Sequence, residues 1–291
     1  MNSLVNKSVI FTKNIERMMN MNFLNVDQEK CIRCGFCVDV CPTNIIAMGD
    51  QGPQQTGQPC VACGQCVAVC PTAALDNMKA PLAEQPLLEQ YPVLDAGTAA
   101  NFLRSRRSIR HYKPDAVPKE KITQLLDIAR IAPTGANSQN VSYYIVSNAD
   151  KLRKITAATI DWMEKQVKNG SPSGLYFAGP VKKYRTTGQD VILRNAPCLI
   201  IALTAKDFFP RGRDNTHFSL AYAELYAPAI ALGTCWAGLF EACAMNGYQP
   251  LLDILNLPEG TAVTGGLMVG YPKHIYKRLV NRNPLQVSWD M

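Results

Sequence analysis

The chain has 291 residues, of which 47% are hydrophobic, and it carries a formal net charge of +7 at pH 7 and eleven cysteines. This length exceeds that of one small domain and leaves roughly 200 residues for a second domain with its own core. The one long apolar tract, at 220–240, is interrupted by Glu224 and Pro228, which excludes a membrane-spanning segment there.

Residues 1–21 precede the first regular pattern and are predicted to form an N-terminal extension. They carry positive charges and short apolar stretches but no sustained apolar core followed by a small-residue cleavage site. This composition argues against a secretory signal. An extended reading frame and a loosely held arm both account for the segment.

Eight of the cysteines form two copies of one spacing, CIRCGFCVDVCP at 31–42 and CVACGQCVAVCP at 60–71. Each copy reads C-x2-C-x2-C-x3-C-P, in which three thiolates hold one cubane and the fourth cysteine binds the other cluster. The spacing predicts two 4Fe-4S clusters, one on Cys31, Cys34, Cys37 and Cys70 and one on Cys60, Cys63, Cys66 and Cys41. A zinc site or a disulfide framework is the alternative, but neither explains a triplet with a crossed fourth cysteine twice over.

The clusters change what the charge and the thiols imply. Each oxidised cubane with four thiolates carries about −2, so the loaded protein would be nearer about +3. We therefore expect neither a nucleic-acid partner nor a membrane partner. Cluster assembly needs reduced thiols, which favours a cytoplasmic location.

The remaining sequence predicts a domain order. A ferredoxin-type domain is expected at 22–80 and a linker at 81–97, where Pro81, Pro86 and Pro92 disfavour regular structure. A larger domain follows at 98–291.

In that larger domain, apolar periodicity predicts a series of helices and strands. Helices are expected at 98–113, ending in a basic turn, at 118–132 and at 151–168. A strand is expected at 141–147, and the loop at 170–190 could form a lid over a site. A buried strand at 198–205, helices at 215–232 and 236–245, and a central strand at 261–271 complete the set. The alternation predicts an α+β or α/β fold with helices on both faces of the sheet.

Four stretches of this domain together resemble the FMN-dependent nitroreductase superfamily. They are RRSIRHY at 106–112, APTGANSQN at 132–140, GTCWAGLF at 233–240 and VGYPKHIYKR at 269–278. With the cysteine module in front, the whole chain resembles a ferredoxin-nitroreductase fusion. The resemblance implies an α+β fold, in which a small two-cluster ferredoxin-like domain precedes a nitroreductase-like three-layer α-β-α domain.

The resemblance also implies an FMN site built from four groups of residues. The basic turn would contact phosphate and ribityl through Arg106, Arg107, Ser108 and Arg110, although a solvated helix end is the alternative. The loop would meet the ring and ribityl through Pro133, Thr134, Gly135, Asn137 and Gln139. Trp236, Ala237 and Gly238 would lie against the flavin, with a packing role as the alternative for Trp236. Lys277 and Arg278 would clamp the phosphate, and Arg282 is a further candidate.

These cofactors imply an oxidoreductase. Electrons would pass from a donor such as reduced ferredoxin through both clusters to FMN, and then to a small-molecule acceptor such as a nitroaromatic, a quinone or an activated alkene. A non-enzymatic carrier or redox sensor is one alternative. An NAD(P)H-dependent nitroreductase with the clusters as electron exit is the other, although no GxGxxG motif indicates a dedicated nucleotide domain.

Some expectations concern residues and contacts outside these motifs. No side chain is identified as catalytic, since His111, His217 and His274 are isolated in the sequence. Cys198, Cys235 and Cys243 lie in apolar settings and are interpreted as buried packing thiols. The family resemblance further suggests a homodimer with FMN at the subunit interface, around which the apolar segment NPLQVSWDM at 283–291 could embrace the partner subunit.

Overall fold

The computed structural model describes residues 22–89 and 92–291, and these form two compact units. The first unit ends at Val93 and also includes Ala136–Ser138, whereas the second comprises Leu94–Gly135 and Gln139–Met291. The predicted extension at 1–21 lies outside the described residues. The predicted domain limits at 80, 97 and 98 stay predictions.

The first unit repeats one small pattern. Its strands are β1 (Leu24–Val26), β2 (Ile46–Gly49), β3 (Gly52–Gln55) and β4 (Leu75–Asn77), and its one-turn helices are α1 (Phe36–Asp39) and α2 (Gln65–Ala68). β1 pairs with β4 and β2 with β3, both antiparallel. Each helix follows a glycine with positive φ, Gly35 at 84° and Gly64 at 72°, a conformation that glycine adopts at little cost. The duplication in the sequence is thus a duplication in structure.

The second unit is built on a four-stranded antiparallel sheet in the order β5-β6-β8-β7. The strands are β5 (Ser142–Val146), β6 (Cys198–Ala205), β7 (Gly233–Trp236) and β8 (Thr261–Gly270). The helices are α3 (Ala96–Ser105), α4 (Lys119–Ala129), α5 (Ala149–Lys168), α6 (Gly174–Thr187), α7 (Arg211–Tyr226), α8 (Gly238–Met245) and α9 (Gln249–Leu255).

Both faces of this sheet are buried. On β6, Leu199 and Ile201 pack in a core with residues of α5, α6, α8 and α9. Ile200 and Ala202, which alternate with them, pack in a second core with residues of α4 and α7. Because successive strand side chains point to opposite faces, one apolar strand serves both cores. The predicted α+β class and the three-layer α-β-α arrangement are confirmed.

The predicted loop at 170–190 is wrong, because α6 occupies most of it. Phe177 and Val181 are buried in the core and Tyr184 packs against it, at helical spacing. Gly179 and Pro180 lie inside the helix and obscure this period in the sequence. The segment is a packed helix, so the prediction that it forms an irregular lid is also wrong.

Other boundaries also differ from the predictions. A short 3-10 helix at Leu82–Glu84 lies in the predicted linker, and α3 begins at Ala96, where the Asp95 side chain accepts a hydrogen bond from the Thr98 amide. The helix expected at 215–232 ends at Tyr226 and is followed by the 3-10 helix Ala227–Ile230. Neither β7 nor α9 was predicted from the sequence. Each element is too short for the periodicity of its apolar residues to be recognised.

Among the described residues, no helix is both long enough and apolar enough to cross a bilayer.

Candidate redox sites

The eight motif cysteines divide between two cavities of the first unit. Cys31, Cys34, Cys37 and Cys70 line one, and Cys41, Cys60, Cys63 and Cys66 line the other. Each cavity therefore receives three cysteines from one copy of the motif and the fourth from the other copy. All eleven cysteines of the chain are free, which rules out the disulfide framework. A cavity lined by four cysteines and by no carboxylate or imidazole suits an iron-sulfur cubane.

The crossed cysteines receive backbone hydrogen bonds. The Ile45 amide donates to Cys41 Sγ at 3.4 Å, and the Ala74 amide donates to Cys70 Sγ at 3.2 Å. Burial is the largest single influence and would raise the pKa of both thiols, but hydrogen bonds from backbone N–H groups and from the Thr43 or Thr72 hydroxyl together outweigh it, and the pKa of Cys41 and Cys70 is lowered. The fold thus favours the thiolate form, which binds iron, at both crossed positions.

The second cavity has a polar side chain, Asn77, at a position where the first has Met48. Asn77 lines the cavity of Cys60 and Cys66, with its Nδ2 at 3.8 Å from each Sγ. The sequence reasoning missed Asn77. An alignment of the two copies could have found it, since Met48 occupies the same place in the first copy.

A cavity of about 360 Å³ lies beside the basic turn in the second unit. Its charged and polar lining includes Arg106, Arg107, Glu224, Thr234, His274 and Tyr276. Backbone pairing assembles these distant segments: the Ile109 amide donates to the Thr234 carbonyl at 2.8 Å, and Tyr112 pairs with Pro272. Two guanidinium groups at one cavity fit the phosphate of FMN.

Each of these two arginines has a defined partner. Arg106 Nη1 lies 3.5 Å from Glu224 Oε1, and burial raises the pKa of the Glu224 carboxyl while Arg106 opposes that shift. Arg107 Nη2 donates to the Arg278 carbonyl at 2.9 Å, and its guanidinium lies 4.9 Å from the centre of the Tyr276 ring. Arg106 and Arg107 are half-buried, which disfavours the solvated helix end for this pair.

The other residues predicted for this end differ in their exposure. Ser108 is half-buried and pairs with Thr234, next to the arginine pair. Arg110 is exposed and donates to the Ser108 carbonyl at 3.4 Å. Lys277 and Arg278 are exposed, and the backbone of Arg278 reaches the site.

Of the predicted loop at 133–139, residues 133–135 and 139 belong to the second unit, and none of them lines the cavity beside the basic turn. Thr134 and Gln139 line a cavity of about 290 Å³ that shares no lining residue with the first. Gly135 donates its amide to Asn215 Oδ1 at 3.0 Å, and Pro133 is exposed.

Asn137 groups with the first unit. Its Nδ2 donates to the carbonyls of Val61 and Ala62, each at 2.9 Å, in the loop between Cys60 and Cys63. The side-chain amide of Asn137, which was predicted to contact the flavin, is therefore hydrogen-bonded to the cysteine loop.

Trp236, Ala237 and Gly238 lie where β7 leads into α8. The Trp236 indole Nε1 donates to the Glu241 carboxylate, which also pairs with Arg213 Nη1 at 2.5 Å. The Ala237 amide donates to the Gly266 carbonyl at 2.8 Å, whereas Gly238 is exposed. Trp236 itself is half-buried, so the structure gives it both a packed ring and a fixed orientation.

Glu224 and Glu241 were not predicted as site residues. Each is an acid inside an otherwise apolar helical stretch, and that is the signal which could have identified them. The three histidines, which are isolated in the sequence, are exposed, and the rings of His111 and His274 lie 5.6 Å apart. Cys198, Cys235 and Cys243 are buried, and burial raises the pKa of Cys198 to about 12, as suits packing thiols.

Comparisons with known proteins agree with this division. The model of the Nitroreductase family matches residues 103–271, and that of the 4Fe-4S dicluster domain matches residues 30–74. An iodotyrosine deiodinase of Danio rerio is 28% identical over 179 residues, which cover 59% of this chain and 59% of that protein. The FMN reductase [NAD(P)H] of Bacillus subtilis (strain 168) is 24% identical over 179 residues, covering 58% of this chain and 64% of the relative.

A solved structure supports the fold. The nitroreductase with bound FMN from Bacteroides fragilis NCTC 9343 superposes with a TM-score of 0.53 at 18% identity, over 65% of this chain and 98% of that one. The Nitroreductase match spans more than half of the chain. The chain therefore belongs to the nitroreductase family, with a 4Fe-4S dicluster domain fused ahead of its nitroreductase domain.

Proposed function

We propose that this nitroreductase-family oxidoreductase passes electrons from a low-potential donor such as reduced ferredoxin, through two 4Fe-4S clusters and FMN, to an organic acceptor. Bound clusters carry single electrons, and a flavin can release electrons in pairs, so the two together join one-electron donors to two-electron reduction. Nitroaromatics, quinones and activated alkenes are the proposed acceptors. Iodotyrosine belongs in the same test, because a 28% identical relative is a deiodinase.

The observation that carries this proposal is the division of the eight cysteines into two sets of four. Cys31, Cys34 and Cys37 share their cavity with Cys70, from the other copy of the motif. A single cluster would leave four of these thiols without a role. Two clusters in one chain with a nitroreductase domain favour electron supply by a one-electron donor.

The arginine-lined cavity supports the FMN part. Arg106 and Arg107 would hold the phosphate, while Glu224 orients Arg106 and the Arg278 carbonyl orients Arg107. Ser108, Lys277 and Arg278 would add donors at the same end. Trp236, held by Glu241, would fix the backbone of Ala237 and Gly238 for the flavin ring.

We also propose a homodimer. In one chain, Arg106 lines one cavity and Thr134 lines another with no residue in common, so a second copy would supply the loop at 133–139. Exposed apolar side chains are available for such an interface, with Phe218 at 54% exposure on α7 and Trp289 at 78% in the C-terminal segment.

Two other functions make different predictions. A dehydrogenase fed by NAD(P)H, as the name of the Bacillus subtilis relative suggests, would reduce its flavin with nicotinamide and need no ferredoxin. A carrier or sensor would take up electrons without forming reduced product.

Anaerobic turnover separates these three. Protein loaded with iron, sulfide and FMN would be given reduced ferredoxin or NADPH, with a nitroaromatic, a quinone or iodotyrosine as acceptor. We expect product with ferredoxin that is lost in a Cys66→Ser variant and kept in a Cys243→Ser variant, which changes a buried thiol outside the cluster module. Equal rates with NADPH in both variants would favour the NAD(P)H route, and absence of product with either donor would favour the carrier.

A further inference from the structure

The duplicated motif allows the two cluster cavities to be compared position by position. Met48 and Asn77 occupy the same place, seven residues after Cys41 and Cys70 respectively. Both are the third residue of a short strand, β2 or β4, that follows its cysteine motif. Met48 lines the first cavity and Asn77 lines the second.

Asn77 is held so that its amide nitrogen faces sulfur. The residue is only 2% exposed, and its Oδ1 accepts a hydrogen bond from the Lys79 amide at 2.9 Å. This bond fixes which end of the side-chain amide carries the donors. Nδ2 then lies 3.8 Å from both Cys60 Sγ and Cys66 Sγ, two ligands of the proposed second cluster.

Met48 offers nothing comparable to the first cavity. Its thioether has no hydrogen to donate, and its side chain is 42% exposed. The proposed first cluster therefore lacks, at this place, the donor that the second one has.

We propose that Asn77 raises the reduction potential of the cluster bound by Cys41, Cys60, Cys63 and Cys66. This inference rests on the two clusters of the proposed function. One-electron reduction takes a cubane with four thiolates from a charge of about −2 to about −3. Hydrogen bonds donated to the ligand sulfurs stabilise the more negative state, so they favour the reduced cluster.

Solvent exposure also affects the reduction potential of a cluster, and the two cavities differ in their exposure. Cys34 is exposed, whereas Cys63 in the matching place is half-buried, and water also stabilises the more negative state. A difference between the potentials of the two clusters would therefore combine both influences. The contribution of Asn77 is the change in one cluster when that side chain alone is replaced.

The experiment is an anaerobic redox titration of the full chain, followed by electron paramagnetic resonance. In Asn77→Leu, which keeps the branched shape and removes the donors, we expect one of the two cluster equilibria to shift about tenfold toward the oxidised form, about 59 mV for one electron. The other cluster should be unchanged. Met48→Leu is the matched control at the equivalent position and should move neither potential.

The reciprocal variant, Met48→Asn, keeps the proposal testable if Asn77→Leu misfolds. Met48→Asn places the amide at a partly exposed position and should raise the potential of the other cluster. If Asn77→Leu does not retain its iron, a raised potential in Met48→Asn supports the proposal and an unchanged one overturns it. Wild-type protein with only one cluster would contradict the proposed function. Two clusters whose potentials are unchanged in both Asn77→Leu and Met48→Asn would overturn only the role of Asn77.

Discussion

The two units of the chain are ordered by different forces. The first unit has strands of three or four residues and one-turn helices, around a small core that includes Phe23, Ile45 and Leu75. The second has a ten-residue strand, β8, and buries both faces of its sheet. Small domains with little core commonly depend on bound metal, and larger ones do not. Cluster binding should therefore be a condition of folding for the first unit only.

Removal of iron should produce the largest effect and divide the molecule accordingly. After anaerobic chelation, amides of the first unit, such as those of Ile46 and Leu75, should lose hydrogen-exchange protection because the cysteines no longer hold the loops together. Amides of β6 and β8 should keep their protection.

Reconstitution with iron and sulfide is the control and should restore protection in the first unit. Equal loss of protection in both units after chelation would show that the second unit also depends on the clusters.

Truncation of a core side chain in the second unit should instead destabilise the second unit and leave iron binding by the first unit intact. Phe240 is fully buried on α8 and contacts the position of Gly266 in β8, so Phe240→Ala should cost about 3–5 kcal/mol of unfolding free energy in the second unit. Urea denaturation followed by far-ultraviolet circular dichroism measures this cost. Phe102→Ala, the same change at an exposed position of α3, is the matched control and should cost far less. Loss of iron binding in Phe240→Ala would contradict the independence of the two units.

The sequence was sufficient where chemistry fixes the spacing. The spacing C-x2-C-x2-C-x3-C is typical of two-cluster ferredoxins, in which the fourth cysteine binds the other cluster, so the partition of Cys41 and Cys70 between the cavities could be predicted from the spacing alone. The apolar strand at 198–205 was equally clear, because a strand that is buried on both faces has no polar alternation.

The sequence was insufficient where packing or register decides. Helix α6 contains Gly179 and Pro180, and only its contacts with the core show that it is helical. The pairing of Ser108 with Thr234 and the hydrogen bond of Asn137 to Val61 depend on residues far apart in the chain. No local pattern encodes such distances, so the placement of the flavin residues had to come from the structure.

The arginine cavity gives the next prediction. Arg106→Ala should weaken FMN binding by about 1.5–3 kcal/mol, the range for a hydrogen bond to a charged group, or roughly 10-fold to 150-fold in Kd. Fluorescence titration with FMN measures it. Arg104→Ala, on the exposed end of α3, is the matched control and should bind FMN as the wild type does. Equal losses in the two variants would mean that general positive charge, and not this cavity, holds the phosphate.

The smallest expected effect concerns Glu224. Burial raises the pKa of this carboxyl in the folded chain, so the native state binds a proton more tightly than the unfolded state. The folded state should therefore become more stable as the pH falls through the folded-state pKa of Glu224, and less stable as the pH rises through it. Glu224→Gln should therefore gain about 1 kcal/mol or less of stability at pH 7.

That gain should shrink as the pH is lowered toward 4, which urea denaturation at several pH values measures. A variant that is less stable than the wild type at pH 7 would show that the ion pair with Arg106 outweighs the burial of the carboxylate.

In the proposed function, one polypeptide holds two cubanes and a flavin. The decisive measurement counts iron, sulfide and FMN per chain in anaerobically purified protein. We expect about eight irons, about eight sulfides and about one FMN per chain. About four irons or fewer, or protein without bound flavin, would contradict it.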